Sequence, residues 1–425
     1  MPNSFITEPE AQPSEFLASE IIERMGSLGL PPEHGIEFVT VGLDEPLKIL
    51  DEHYLKAMEK GGRGSAFKLI RGSFGAGKTH FLTCLRNLAW KRGFLASLVE
   101  LSLKGCNLGD ASAVYRALAN GMAQAPEDCE SFDTVSGLGN IIRCWALNFD
   151  EAEERKKWLA KAKMSNFTNN NYKMVFLRFI KSLWEDEEEL ADACEMWLLG
   201  SSSKKLKLGI ITIPENICEQ NASSMLASLI KAVTLLGFSG IAALFDEVDR
   251  IASGSKREKK NVVDNMRQIV DMCGSRRLPG FFWAFAVPPE FISDVIAEYP
   301  ALQQRLNSPL PFSPASPQVP TIDVSSSELK PHEFFKALGQ KILRVAAIAW
   351  NWNYTASVQN KNLDDLVTEY LSMNFDAGQR RNFVKQWIAF LQSEYSCGEG
   401  TTDIEALCKQ QDSAEVMESE DFADF

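Results

Sequence analysis

The sequence predicts an α/β fold built on a parallel sheet, and three observations predict it. An apolar run, "SAFKLIRG", leads into the Gly-rich turn "GSFGAGKTH", which opens a helical pattern, "THFLTCLRNLAWKRG". A second run, "IAALF" (Ile241 to Phe245), ends at the acid pair Asp246 and Glu247. Two more apolar runs, "ASLVELS" (Ala96 to Ser102) and "GFFWAFAV" (Gly280 to Val287), alternate with helical stretches. Strands that alternate with helices build parallel sheets, and runs apolar on both faces suit strands covered on both sides.

Taken in order, residues 13–28 read as an amphipathic helix with Phe16, Leu17, Ile21 and Met25 on one face, stopped at "GLPPEHG". The segment "IEFVTVGLDEPLKILDEHYLKAMEKGG" gives a short extended piece, then a helix that starts after Asp44 and ends at Gly61 and Gly62. The first strand ends at Gly72. The helix after the loop carries Phe81, Leu82, Leu85, Leu88 and Ala89 at helical spacing and closes at Gly93. From about residue 110 to 208 strand signals vanish and helical stretches such as "WEDEEELADACEMWLLG" take over. A long helix over "ENICEQNASSMLASLIKAVTLLGFSG" then feeds "IAALFDEVDR", and a weak run around "SPLPF" (Ser308 to Phe312) supplies a fifth strand. Past the Pro-rich "PLPFSPASPQVP", the chain reads as helical in "PHEFFKALGQKILRVAAIAW" and "QRRNFVKQWIAFLQ".

The expected organisation is therefore an N-terminal helical segment (1–62), a core in two parts (63–110 and 209–320) around a helical insertion (111–208), a C-terminal helical lid (321–395) and an acidic flexible tail (396–425). At 425 residues the chain suits two or three packed units. Hydrophobic residues at 45% and charged residues at 24% are ordinary for a soluble globular protein. No stretch approaches the roughly twenty apolar residues that span a bilayer, and the start lacks a basic segment followed by an apolar run. The nine cysteines form no CxxC pair and the four histidines do not cluster with them, which argues against zinc and for reduced thiols in a cytoplasm.

The Gly-rich turn carries the chemistry. Gly72, four residues, Gly77, Lys78 and Thr79 match GxxxxGK[ST], in which successive backbone N–H groups wrap a phosphate and the hydroxyl holds Mg2+. The candidate cradle is Gly72, Ser73, Phe74, Gly75, Ala76, Gly77, Lys78, Thr79 and His80, with the N-terminus of the following helix aimed at the phosphates. Such a loop needs a carboxylate at the tip of a neighbouring strand to hold Mg2+, and Asp246 supplies it beside Thr79 as the metal residue. Glu247 follows as the candidate general base for an attacking water. Asp249 and Arg250 come next and read equally as a surface ion pair.

With both halves in place, the chain resembles an AAA+ type P-loop NTPase, and more narrowly the ATP-binding proteins of bacterial BREX phage-exclusion systems, the BrxD-like group. The resemblance rests on "VGLDEPLKILDEHY", "FKLIRGSFGAGKTHFL", "GFSGIAALFDEVDRI", "LPGFFWAFAVPPEF" with "ALQQRL", and "RRNFVKQWIAFL", which bracket residues from about 20 to 395. It implies ATP and Mg2+ as cofactors, a parallel five-stranded sheet with a helical lid, and an ATPase that acts with other defence-system proteins as a nucleotide-driven regulatory switch or a DNA-engaging member of a larger assembly, with a homo-oligomer among the expected partners. It also implies roles for two arginines. Arg305 in "QQRL" matches the arginine that reaches a neighbouring subunit's γ-phosphate, and Arg381 in "RRNF" matches the lid arginine that senses the same phosphate, with Arg380 as the alternative. A helix-surface charge is the competing explanation for each. One position departs from the pattern: after the fourth strand, Val287 and Pro288 stand where a polar residue usually orients water, and neither side chain donates a hydrogen bond. A poorly hydrolysing, nucleotide-bound scaffold that recruits partners is accordingly the alternative function.

The net charge of −13 disfavours general nucleic-acid binding, so any DNA contact must come from local basic clusters. Two exist, "SSSKKLKLG" (Ser201 to Gly209) and "GSKREKK" (Gly254 to Lys260), and solvated loops are the plainer explanation of both. The tail "DSAEVMESEDFADF" holds six acids and no Lys or Arg, the composition of a disordered solubilising flank.

Overall fold

A computed structural model describes residues 12–59, 64–101, 106–126, 134–202, 204–248, 254–325, 329–372 and 379–402. The expected helix stop at Gly61 and Gly62, the pair Asp249 and Arg250, and the acidic tail from 403 onward lie outside these residues. The chain divides into two compact units. One comprises Met1–Glu45, Gly72–Cys84 and Val324–Phe425, the other Pro46–Arg71 and Leu85–Asp323.

The second unit carries the sheet. Its strands are β1 (Ala66–Arg71), β2 (Leu95–Glu100), β3 (Met122–Ala123), β6 (Ile241–Asp246), β7 (Phe281–Val287) and β8 (Thr321–Asp323), in the order β3-β2-β6-β7-β1-β8. Five run parallel, and β3 alone is antiparallel, against β2. The strands β6 and β7 are buried at every residue, which is why they read as unbroken apolar runs. On one face Phe245 of β6 stacks on Phe285 at 4.7 Å and on Trp283 at 6.0 Å, so aromatic rings tie β6 to β7. Backbone crowding fixes the entry to β6: a Cβ on Gly240 would lie 2.3 Å from the Gly280 carbonyl oxygen, whereas the Ile241 N–H bonds that oxygen at 2.9 Å.

The fifth parallel strand is not where the sequence suggested. Ser308 to Phe312 forms no strand, because Pro309 and Pro311 remove two ladder donors. The strand is β8, which begins nine residues after Phe312. Lys68 explains how the Pro-rich segment ahead of β8 is held. Its side chain is 1% exposed inside β1, and its Nζ donates to Pro317 O (2.7 Å), Val319 O (2.8 Å) and the Tyr54 hydroxyl (3.0 Å). Burial lowers the Lys68 pKa to about 7. The other surprise is β3, which a two-residue pairing makes invisible to periodicity and which gives the sheet its sixth strand.

Between β2 and β6 the chain is mostly helical, in Ala111–Gly121, Leu138–Leu147, Ala152–Met164, Asn170–Trp184, Glu188–Leu198 and Ala222–Leu235. Tyr115, Tyr172, Phe176, Phe179 and Trp197 from these helices join the same core as the strands. Asp110 caps Ala111–Gly121 by accepting from the Ser112 and Ala113 N–H groups. Helix Lys256–Gly274 opens with a full capping box of Ser255 and Glu258.

In the first unit, helix Glu15–Leu28 starts at Ser14, whose hydroxyl accepts from the Leu17 N–H, and stops at Gly29 in the left-handed region. Its apolar face, Leu17, Ala18, Ile21, Ile22 and Met25, shares a core with Pro331–Ala349, Ala356–Ser372 and Gln379–Cys397. Trp387 is fully buried there, and its indole N–H bonds the Gly339 carbonyl at 2.9 Å.

Candidate nucleotide site

The chain leaves β1 at Arg71 and turns through residues 72–77 into helix Lys78–Lys91. Gly75 (φ 73°) and Gly77 (φ 93°) occupy the left-handed region, where side chains are strained. At Gly72 the constraint is space, since a Cβ would lie 2.8 Å from Val324 Cγ2 and 3.1 Å from Ala76 Cβ. This is backbone shaped for close approach. The Lys78 ammonium folds back over the turn and donates to the Gly72 and Ser73 carbonyls, both at 3.0 Å. Phe74 stands out at 62% exposure, and Thr79 is half-buried.

His80 faces inward within the same unit. Its Nε2 lies 2.8 Å from the Thr40 hydroxyl, which itself donates to Ile36 O at 2.7 Å, so His80 is the donor of the pair. Burial, with Arg380 and Lys341 nearby, lowers its pKa to about 4 and keeps the ring neutral. Lys341 Nζ in turn donates to the Thr40 carbonyl at 2.8 Å. His80 therefore braces the start of the loop helix from behind. Thr40 and Lys341 carry this brace, and no motif announced either.

The two neighbouring arginines do different things. Arg380 Nη1 donates to Ala76 O at 2.6 Å and Nη2 to Val324 O at 3.3 Å, with the guanidinium over Phe334. Burial lowers its pKa. Arg381 lies over the exposed Phe74 ring, 5.3 Å from its centroid. The loop backbone is thus gripped by Arg380, the alternative named from the sequence.

In the other unit, Asp246 is the last residue of β6 and 5% exposed, and its Oδ1 accepts from the Glu247 N–H at 2.9 Å. Glu247 sits at φ 59°, a left-handed conformation that costs a non-glycine residue about 1–3 kcal/mol and that clusters at functional sites. The sheet register sets the level of the acid pair. Phe245 pairs with Phe285 and Phe285 with Leu69, so Asp246 follows at the level of Ile70, two residues before the turn begins. Only β7 stands between β1 and β6, which puts their ends about 10 Å apart at the ordinary strand spacing. Val287, fully buried, pairs with Arg71 at the same edge.

Arg305 is on helix Pro300–Leu306, where it grips Asp271 through Nε and Nη2 and donates to Ala301 O through Nη1. The basic residues Lys256, Arg257, Lys259 and Lys260 open the exposed start of helix Lys256–Gly274, while Lys204, Lys205 and Lys207 border a short hairpin.

A family model described as "BREX system ATP-binding protein BrxC/D" matches residues 15–396. The chain belongs to that family. The match runs from the first helix to the last and so includes both the loop and the acid pair. Neither a curated protein nor a solved structure matches the chain. Membership in this family implies ATP binding by the chain, and no described helix is long and apolar enough to cross a membrane.

Proposed function

We propose that the chain is a Mg2+-dependent ATPase whose nucleotide cycle switches a BREX defence assembly. The observation that carries this reading is a shared sheet edge. The Gly-rich turn departs from the end of β1, and β6 ends one strand beyond its neighbour in a buried Asp and a backbone-strained Glu. In this reading residues 72–80 cradle the triphosphate through main-chain N–H groups, Lys78 exchanges its two loop carbonyls for phosphate oxygens, and Thr79 with Asp246 holds Mg2+. The bound nucleotide supplies the γ-phosphoryl group that water attacks. Glu247 takes the proton of that water, and Arg380 or Arg381 answers the charge on the phosphate from the C-terminal helices, which act as the lid. Arg305 serves a neighbouring subunit in a homo-oligomer.

The domain division follows the same reading, with a core at 63–110 and 209–320, an insertion at 111–208 and a lid at 321–395. A cytoplasmic setting, protein partners from the same defence system and DNA engagement belong to it as well.

A second reading has its own support. Val287 places an apolar, buried side chain beside Arg71 where a water-orienting group is expected, which favours a slow enzyme or a nucleotide-held scaffold. Steady-state phosphate release with Lys78→Ala and Glu247→Gln separates the two. An ATPase loses turnover roughly a hundredfold or more in both variants. Basal turnover that neither substitution changes leaves the scaffold. Absence of Mg2+-ATP binding to the wild type removes both.

A further inference from the structure

The basic stretch at 204–207 belongs to a hairpin with an unusual tip. β4 (Lys207–Leu208) and β5 (Ile211–Thr212) pair antiparallel, Lys207 opposite Thr212 and Leu208 opposite Ile211. Gly209, at φ 65°, takes the first turn position, which a two-residue hairpin turn fills with a residue of positive φ. The second turn position holds Ile210, which is 104% exposed, and Ile211 beside it is 48% exposed. Polar residues or glycine are the usual choice there, and a β-branched apolar pair held in water has no folding rationale.

The hairpin is rigidly rooted. Leu206 and Ile213 at its base belong to the core of the sheet-bearing unit, and the Ile213 N–H bonds Leu206 O at 2.8 Å. Trp197 Nε1 fixes the exit by donating to Glu215 O at 3.2 Å. Lys204, Lys205 and Lys207 are exposed, and among the described residues no carboxylate lies within salt-bridge distance of any of them. On a chain of net charge −13, an unneutralised basic flank beside an apolar tip is a local exception.

We propose that this hairpin is a contact for double-stranded DNA, with Ile210 wedged into the minor groove against a base step and the three lysines on the flanking phosphates. Apolar wedges of this kind partly unstack a step, while lysines near phosphates supply affinity by counterion release. Charge complementarity selects the occupant: a polyanion satisfies three unpaired ammonium groups at once, and a groove accepts a narrow apolar tip. The proposal deepens the DNA-engaging part of the function above and does not depend on hydrolysis.

The test is fluorescence anisotropy of a short labelled duplex, titrated with the full chain over a range of salt. Lys204→Glu, Lys205→Glu and Lys207→Glu combined should weaken binding at least about tenfold and flatten the plot of log affinity against log salt by up to about 2.7. Ile210→Ser should weaken binding roughly tenfold with the slope unchanged, because it removes apolar contact and no charge. A 2-aminopurine duplex should brighten with the wild type and not with Ile210→Ser. Binding of a fluorescent ATP analogue, measured on the same preparations, should be equal in all variants, which keeps this outcome separate from the nucleotide reading. A wild type that ignores the duplex at low salt, or variants that bind like it, overturns the proposal. Loss in the lysine variant with Ile210→Ser unaffected overturns the wedge. Unchanged DNA binding with loss of a protein partner gives the hairpin to that partner instead.

Discussion

Arg380 Nη1 donates to the main-chain oxygen of Ala76 at 2.6 Å, so a half-buried guanidinium from helix Gln379–Cys397 holds the Gly-rich turn directly. Arg381, one residue on, instead lies over the exposed ring of Phe74. A charged hydrogen bond contributes about 1.5–3 kcal/mol, while an exposed cation–π contact contributes about 0.5–1 kcal/mol. Arg380→Ala should therefore weaken ATP binding roughly 10- to 100-fold and Arg381→Ala only about threefold, read by titration with a fluorescent nucleotide. The reverse ranking would return the sensing role to Arg381.

Glu247 separates activity from stability. Its φ of 59° is strain that Asn tolerates better than most side chains. Glu247→Gln should abolish turnover and retain ATP. Glu247→Asn should abolish turnover equally while matching or exceeding the wild-type melting temperature. A clear loss of stability in the Asn variant would mean that the glutamate side chain holds the fold there.

Arg305 and Asp271 make an ion pair at roughly one-third exposure, with Arg267 also 3.7 Å from Asp271. An exposed pair of this kind contributes about 0–1 kcal/mol, so Arg305→Ala should barely shift thermal stability. If Arg305 serves a neighbouring subunit, the variant should lose the rise in turnover per chain that wild type shows with concentration. Wild-type turnover independent of concentration would leave Arg305 as an intramolecular contact.

The sheet was legible wherever burial on both faces made long apolar runs, as in β6 and β7, and the loop was legible because glycine spacing is forced by backbone shape. β8 was missed because it is three residues long, and the signal that locates it is Lys68, whose buried ammonium bonds Pro317 and Val319. A lysine in a strand reads as an edge or a surface until its carbonyl partners are seen. The brace behind His80 was hidden for a similar reason. A lone Thr40 carries no pattern, and its role depends on Ile36 O fixing the direction of its hydroxyl proton.

That brace has a pH signature. His80 has a folded pKa of about 4, against 6.5 ordinarily, because burial and the positive charges of Arg380 and Lys341 oppose its protonation. Between those two values the unfolded chain binds more protons than the folded chain, so stability rises with pH through this window and falls as acid is added. The loss should be on the order of 2 kcal/mol between about pH 6.5 and pH 4, fully absent above that range. His80→Gln keeps a donor near the Nε2 position but cannot titrate, so it should flatten the acid limb while matching wild type near neutrality. Thr40→Ala, which strands the His80 N–H without its acceptor, should destabilise at every pH. Urea unfolding at about pH 7.5, 5.5 and 4.5 gives the comparison. A Gln variant that tracks wild type down the acid limb would show that other groups carry the acid sensitivity.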